Sequence, residues 1–170
     1  MFNNSFILAA EKTQCVIFRT STQALPELGL TLCGSPLRPS LHAKFLGVWL
    51  SWNLSWSTHI HYIIRKALKA YNLIKTILKF FWGQDQDMLI QLHLALVRPH
   101  LVYGQECFFA AGRTLLDKLT VIELRSLRTV LGLPVHAHRE AVYAAADIVS
   151  LDQYRAQQTA CYINRAFTVP

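Results

Sequence analysis

Acidic residues are scarce in this chain and are missing from about a third of it. No Asp or Glu occurs between Glu27 and Asp85, and no two acidic residues are adjacent anywhere in the 170 residues. The closest pair, Asp85 and Asp87, stands at a predicted helix start, where capping and the helix dipole account for it. The sequence therefore offers no paired carboxylates for a site that holds two metal ions.

Short cysteine motifs and long apolar runs are also missing. The four cysteines are scattered without a C-x-x-C pair, which argues against a zinc ribbon or a secreted disulfide framework. The first residues lack a basic segment typical of a signal peptide, and no run reaches the roughly 18 apolar residues of a membrane span. We expect a soluble or peripherally bound intracellular protein, nuclear or cytoplasmic, with no transmembrane segment.

Recognisable metal and nucleotide motifs are absent as well. The pairs His59/His61 and His136/His138 have H-x-H spacing, but tight clusters of four ligands are not found. Ordinary surface histidines are the favoured interpretation, and no metal site is predicted. No Gly-rich phosphate loop, nucleophile elbow or HExxH motif occurs.

What the sequence does contain is many apolar residues and an excess of positive charge. It is 52% hydrophobic, with a formal net charge of +7 and a pI of about 9.5. This composition predicts an ordered domain with a polyanionic partner, nucleic acid first and an anionic membrane surface second. A merely basic domain is the plain alternative.

Short strands and turns are expected before about residue 56. Three runs, at residues 14–18, 30–33 and 44–50, are apolar and either alternating or partly β-branched. The second run ends at the turn cluster Gly34-Ser35-Pro36. Within the third run, Gly47 favours a bulge or a close approach of another backbone.

From Thr58 onward the apolar residues recur with helical spacing. The first predicted helix covers residues 58–82, with Gly83 as the residue that ends it. Its apolar face comprises Ile60, Ile63, Ile64, Ala67, Tyr71, Ile74, Leu78 and Phe81.

Four later helices are predicted from their start and stop signals. Pro99 should kink or end the first of these, and Gly132 and Pro134 should follow the end of the second. The predicted starts are a cap at Asp85 or Asp87, a capping box from Thr114 to Asp117, a weaker helix from about Arg139, and a cap at Ser150 paired with Gln153.

The positive charge is concentrated in the acid-free segment. On the 58–82 helix, at about 100° per residue, Arg65, Lys69, Lys75 and Lys79 lie nearly opposite the apolar face, with Lys66 at the edge. Solvated faces usually interleave acidic residues, and this one has none. Such a row can follow a phosphate backbone without reading base sequence. A solvated lysine face and a membrane-surface helix remain as alternatives.

Several sequence strings, taken in order, resemble the C-terminal half of the reverse transcriptase of non-LTR (LINE-like) retrotransposons. They cover about residues 10–150 with little gapping. Glu11-Lys-Thr-Gln-Cys-Val-Ile-Phe18 resembles the palm segment after the catalytic aspartates. Lys44-Phe-Leu-Gly-Val-Trp-Leu50, followed by Asn53-Leu-Ser-Trp56, resembles the primer-grip hairpin. Ala95-Leu-Val-Arg-Pro99 with Tyr103-Gly104 resembles the thumb-helix signature, and Leu127-Arg-Thr-Val-Leu-Gly-Leu-Pro134 resembles the end of the next helix. Val102 and Ser51 stand where that family often has an acidic residue.

The resemblance implies an α+β fold, mostly α. A small β palm remnant with primer-grip strands is expected in residues 1–56, a helical thumb-like domain in 57–135 and a C-terminal helical extension in 136–170. The implied partner is nucleic acid, an RNA–DNA hybrid or duplex. The residues expected to bind it are Lys44, Phe45, Leu46, Gly47, Arg65, Lys66, Lys69, Lys75 and Lys79.

The same family polymerises nucleotides with Mg²⁺ held by palm aspartates, including an Asp-Asp pair just before the Lys-Thr segment. This chain has no Asp before Asp85, so no cofactor is expected for it. The resemblance implies a general-acid role for Lys12 toward the leaving pyrophosphate, for which no metal-bound substrate is available here. An exposed lysine at the start of a strand is the alternative.

The predicted function is a truncated reverse transcriptase fragment, inactive without the missing palm and fingers. The alternative is a stand-alone basic helical module that binds nucleic acid. An Asp-Asp palm encoded upstream of Met1 would favour the fragment.

Overall fold

The computed structural model describes residues 12–19, 29–80 and 85–168. By its internal packing the chain divides into two compact units, Met1–Thr58 and His59–Pro170. The described residues are mostly helical, with two small antiparallel hairpins near the N-terminal end. The predicted α+β fold class with a helical majority is therefore confirmed.

The first hairpin pairs strands β1 (Thr31–Leu32) and β2 (Ser35–Pro36). Its turn consists of Cys33 and Gly34, both with positive φ, so part of the predicted turn cluster is itself a strand. The predicted strand at residues 14–18 is wrong. Cys15 forms a single bridge to Pro39, supported by a 2.7 Å bond from the Ser40 amide to the Cys15 carbonyl.

The second hairpin pairs β3 (His42–Phe45) with β4 (Val48–Ser51). The apolar pattern predicted one continuous strand over residues 44–50, and this prediction is wrong. Leu46 and Gly47 have φ values of 45° and 85°, which make the two-residue turn that reverses the chain. Gly47 thus marks a turn rather than a bulge, in agreement with the hairpin implied by the family resemblance.

Seven helices cover most of the remaining described residues. They are α1 (Ser57–Phe80), α2 (Gln86–Leu96), α3 (Arg98–Val102), α4 (Gln105–Phe108), α5 (Arg113–Val130), α6 (Arg139–Ala145) and α7 (Leu151–Thr168). The first predicted helix is confirmed as α1. Its predicted end at Phe81 to Gly83 lies outside the described residues.

Several predicted helix boundaries are confirmed by their hydrogen bonds. Asp85 caps α2 by accepting from the Asp87 amide at 3.4 Å. Pro99 stands in the first turn of α3, so it separates that helix from α2. Ser150 caps α7, because its hydroxyl accepts from the Gln153 amide and donates to the Gln153 side chain.

Of the two predicted ends of α5, the C-terminal one is confirmed and the N-terminal one is wrong. Gly132 has a φ of 66°, and the amides of Gly132 and Leu133 bond back to the carbonyls of Thr129 and Arg128. This glycine termination was predicted. The capping box at Thr114 is wrong, since Gly112 occupies the cap position and no side chain caps the helix.

The core of the helical unit is formed by apolar side chains from several helices. The fully buried ones include Ile60, Ile74, Val97, Leu101, Phe108, Leu119, Leu127, Val142 and Leu151. His59 and His93 are also fully buried, and for His59 this corrects the prediction of an ordinary surface histidine. Among the described residues, no helix has the length and apolar character needed to cross a membrane.

His59 should make the helical unit sensitive to acid. Its ring packs edge-on against Phe108 at 5.4 Å, and burial lowers the pKa of His59 below its usual 6.5. Burial, aided by the charge of Lys66, lowers the pKa of His100 in the same direction. Both rings bind more protons in the unfolded chain, so stability is present above the unfolded pKa and is lost as the pH falls below it.

We therefore expect the free energy of unfolding in urea to fall between pH 7.5 and 5.5, by at most about 1.4 kcal/mol per pH unit for one histidine. His59→Gln should weaken that pH dependence. Burial would raise the pKa of Asp152, but hydrogen bonds from Arg155 and Arg139 outweigh it and lower the pKa, so this carboxylate titrates below the window. An unfolding free energy that stays flat over this range would contradict the assignment.

Candidate nucleic-acid interface

Helix α1 has one buried face and one cationic face. Ile60, Ala67 and Ile74 are fully buried, because the apolar spacing of the sequence places them on the side that packs into the core. The five predicted cations of this helix are exposed, and we call them the cationic row: Arg65, Lys66, Lys69, Lys75 and Lys79. From Arg65 to Lys79 the row is about 21 Å long, the axial length of about six base pairs.

The cationic row has no acidic partner in the part of the chain that the structure describes. In the described part of the chain, ion pairs join His93 and Arg98 to Glu123, and Arg139 and Arg155 to Asp152. No cation of the row takes part in an ion pair among the described residues. Lys66 and Lys75 instead lie over the rings of Tyr62 and Tyr71, at 5.0 and 5.7 Å from the ring centroids. Within residues 12–19, 29–80 and 85–168, the row therefore presents positive charge that no carboxylate compensates.

Two other helices flank the row. On the α3 side, burial lowers the pKa of His100, and the nearby charge of Lys66 lowers it further. On the α5 side, the Tyr71 hydroxyl lies 2.9 Å from the Thr129 hydroxyl. Residues Lys66 and Lys75 thus mark the two edges of the surface that α1 exposes.

The tip of the β3–β4 hairpin carries the other predicted site residues. Lys44 is exposed, and its amide donates to the Gln14 side chain at 3.3 Å. Phe45 and Leu46 are 65% and 77% exposed, an uncommon position for large apolar side chains. Gly47 completes the turn. The hairpin thus presents an apolar tip beside a single cation.

Leu46 occupies a backbone conformation that disfavours it. An L-residue with a Cβ atom in the left-handed region costs roughly 1–2 kcal/mol, and two-residue turns of this type prefer Asn or Gly. Strained residues of this kind are concentrated at functional sites, where the side chain itself is needed. Cys33, Leu54 and Asp147 share this conformation, so the strain at Leu46 supports a site only together with its exposed apolar side chain.

We expect Leu46→Asn to stabilise the hairpin, because Asn tolerates the left-handed conformation. Amide hydrogen exchange in β3 and β4 should slow by about threefold, the effect of roughly 0.6 kcal/mol. Leu46→Ala is the matched control, since it removes the same side chain but keeps the Cβ strain. Equal protection in both variants would contradict the strain.

Lys12 and the histidines add no catalytic constellation. Lys12 is exposed and forms no ion pair among the described residues. Residues 12–19, 29–80 and 85–168 bring together no group of three or more His, Cys, Asp or Glu side chains that could hold a metal ion.

A buried polar cluster was missed by the sequence reasoning. Glu123 is fully buried, and its carboxylate accepts a 2.6 Å hydrogen bond from Tyr143. Arg98 Nε lies 3.4 Å and His93 Nε2 3.9 Å from the other carboxylate oxygen. His93 Nδ1 in turn lies 2.9 Å from the Ser126 hydroxyl. Burial, then the charge of Glu123, raises the pKa of Tyr143 well above its usual value.

Arg98 belongs to the string that resembles the thumb signature, and its guanidinium points into the protein. Besides its ion pair with Glu123, the guanidinium donates to the Val149 carbonyl at 2.6 Å and lies over the Tyr154 ring at 4.8 Å. This residue therefore holds helices of the unit together. The available signal was that Arg98 and Glu123 are charged residues among apolar neighbours such as Leu101 and Leu124.

Arg98→Ala should cost about 3–5 kcal/mol of unfolding free energy, because the Glu123 carboxylate would stay buried without its cation. The check is urea unfolding of wild type and variant. Adding Glu123→Gln should recover part of the loss, since the remaining buried group is then neutral. A loss below about 1 kcal/mol for Arg98→Ala alone would show that this pair does not hold the unit together.

Sequence comparisons identify two curated relatives. The chain is 27% identical over 125 residues to the RNA-directed DNA polymerase from mobile element jockey of Drosophila funebris. It is 28% identical over 129 residues to the protein of the same description from Drosophila melanogaster. Each match covers 74% of this chain and 13% of the relative.

These similarities confirm the resemblance to retrotransposon reverse transcriptases that the motifs indicated. The chain spans only a small part of the length of these relatives. No protein-family model matches the chain, and no solved structure matches it.

Proposed function

We propose that this chain is the template–primer-binding part of a retrotransposon RNA-directed DNA polymerase. In this assignment the β3–β4 hairpin is the primer grip, and helices α1 to α5 act as the thumb that holds an RNA–DNA hybrid or duplex. The proposal is supported by the similarity to the jockey polymerases and by the order of the motifs.

The observation that carries the proposal is the uncompensated cationic row on α1. Its five cations are exposed and lie on a helix without any acidic residue. Each phosphate neutralised by such a cation releases condensed counterions, so affinity for nucleic acid falls steeply with salt. Contacts of this type bind a duplex irrespective of its sequence, as a polymerase that moves along its template requires.

The hairpin tip suits a different task. Phe45 and Leu46 are large, apolar and exposed, so they can pack against a nucleoside while Lys44 approaches a phosphate. A two-residue turn fixes their position relative to the strands. This combination fits a role in steering the end of the primer.

Catalysis is assigned to other parts of the polymerase. Within these 170 residues no two acidic residues are adjacent and none lies between Glu27 and Asp85, so the sequence provides no carboxylate pair for two magnesium ions. We expect no nucleotide incorporation when the purified chain is supplied with Mg²⁺ and a primed RNA template. Incorporation would overturn the division between binding and chemistry.

Reversing charge in the cationic row should abolish tight binding to nucleic acid. For Lys69→Glu with Lys79→Glu we expect affinity for an RNA–DNA hybrid at 0.1 M salt to fall about 30-fold or more. The slope of log affinity against log salt should decrease by about two, because two phosphate contacts are lost. Fluorescence anisotropy across a salt series measures both quantities.

The matched control is Arg113→Glu with Arg165→Glu, which makes the same change of net charge at exposed positions on α5 and α7. Its affinity should stay within about threefold of wild type. Equal losses in the two double variants would mean that only net charge matters, and salt-independent binding by wild type would refute the proposed function.

A further inference from the structure

We propose that Lys75, Tyr71 and Arg125 form a phosphate-binding site that joins α1 to α5, so that the nucleic-acid surface extends beyond the cationic row. The ligand is a phosphate group of the polynucleotide backbone. This inference rests on the proposed function and adds a residue, Arg125, from a helix that the sequence did not connect with binding.

The site is built around one aromatic ring. Lys75 Nζ lies 5.7 Å and the Arg125 guanidinium carbon 5.5 Å from the centroid of the Tyr71 ring. The two cations are therefore separated by no more than the sum of these distances. Lys75 and Arg125 are both exposed, whereas the ring between their helices is only 5% exposed. Both charged groups can reach a ligand in solvent.

Hydrogen bonds fix the ring that supports the two cations. The Thr129 hydroxyl donates to the Arg125 carbonyl at 3.0 Å, so the Tyr71 hydroxyl donates to Thr129 at 2.9 Å. Tyr71 is thus tied to the same turn of α5 that carries Arg125. The ring over which the two cations lie is therefore held against α5 before a ligand arrives.

The two cations that lie over this ring repel each other, and a bound anion would offset that repulsion. The ring quadrupole attracts each cation by roughly 0.5–1 kcal/mol at an exposed site, but it does not remove the repulsion between them. Neither Lys75 nor Arg125 forms an ion pair in the described part of the chain, and the nearby Glu123 faces the core. An external anion between the two cations would therefore be attracted by both of them.

A backbone phosphate can serve as this anion. The guanidinium of Arg125 can donate two parallel hydrogen bonds to phosphate oxygens, and Lys75 adds a second positive charge. Lys75 also belongs to the cationic row, so a strand lying along α1 would pass over Arg125 at the α5 edge. The contact reads no base and should be independent of sequence.

The test compares single substitutions in the full chain by fluorescence anisotropy with a labelled RNA–DNA hybrid over a salt series. Arg125→Ala and Lys75→Ala are each expected to weaken binding about fivefold at 0.1 M salt and to reduce the salt slope by about one. Arg125→Lys should restore the salt slope, since the charge is kept. Arg165→Ala on α7 removes one exposed arginine elsewhere and should change neither quantity.

The outcomes separate this inference from the proposed function. If Lys69→Glu with Lys79→Glu abolishes binding while Arg125→Ala behaves like wild type, the inference fails and the proposed function stands. Equal losses for Arg125→Ala and Arg165→Ala would also overturn it, because they would reflect net charge alone. If wild type shows no salt-dependent binding, the proposed function fails and the site loses its ligand.

Discussion

The buried carboxylate of Glu123 is the constraint on which the helical unit depends. A carboxylate without exposure needs compensating groups: here a tyrosine hydroxyl from α6 donates a hydrogen bond, and a guanidinium from α3 and an imidazole from α2 lie near the other oxygen. Arg98 extends this cluster to the segment before α7 through the Val149 carbonyl. Since these partners come from separate helices, the charge can be satisfied only when the helices pack in one arrangement.

That packing determines which surface of α1 is available to a ligand. The apolar face of α1 is buried in the core of the helical unit, so the opposite face, with five cations and no acid, is left in solvent. The exposed cationic surface is therefore a consequence of core burial. Its electrostatic character comes from the absence of Asp and Glu, because interleaved acids would neutralise the same lysines through i,i+4 pairs.

Prediction from sequence succeeded where a local rule acts alone. The extent of α1 up to the last described residue, the cap at Ser150 and the glycine end at Gly132 all follow from periodicity or from hydrogen bonds to residues a few positions away. Prediction failed where the local structure depends on contacts with another segment of the chain. Residues 14–18 have strand character, but only Cys15 meets a partner backbone. Leu46 is a poor turn residue, and its place in a tight turn could not be read from its type.

The sequence by itself determined the mostly helical fold, the acid-free cationic face and its position opposite the apolar stripe, because these depend on spacing along one chain. Only the tertiary structure decided that Arg98 faces a buried Glu123 and that Arg125 shares the Tyr71 ring with Lys75. Such pairs lie tens of residues apart in sequence. Whether a charged side chain meets solvent or another charge is determined by the packing of helices, which no local pattern specifies.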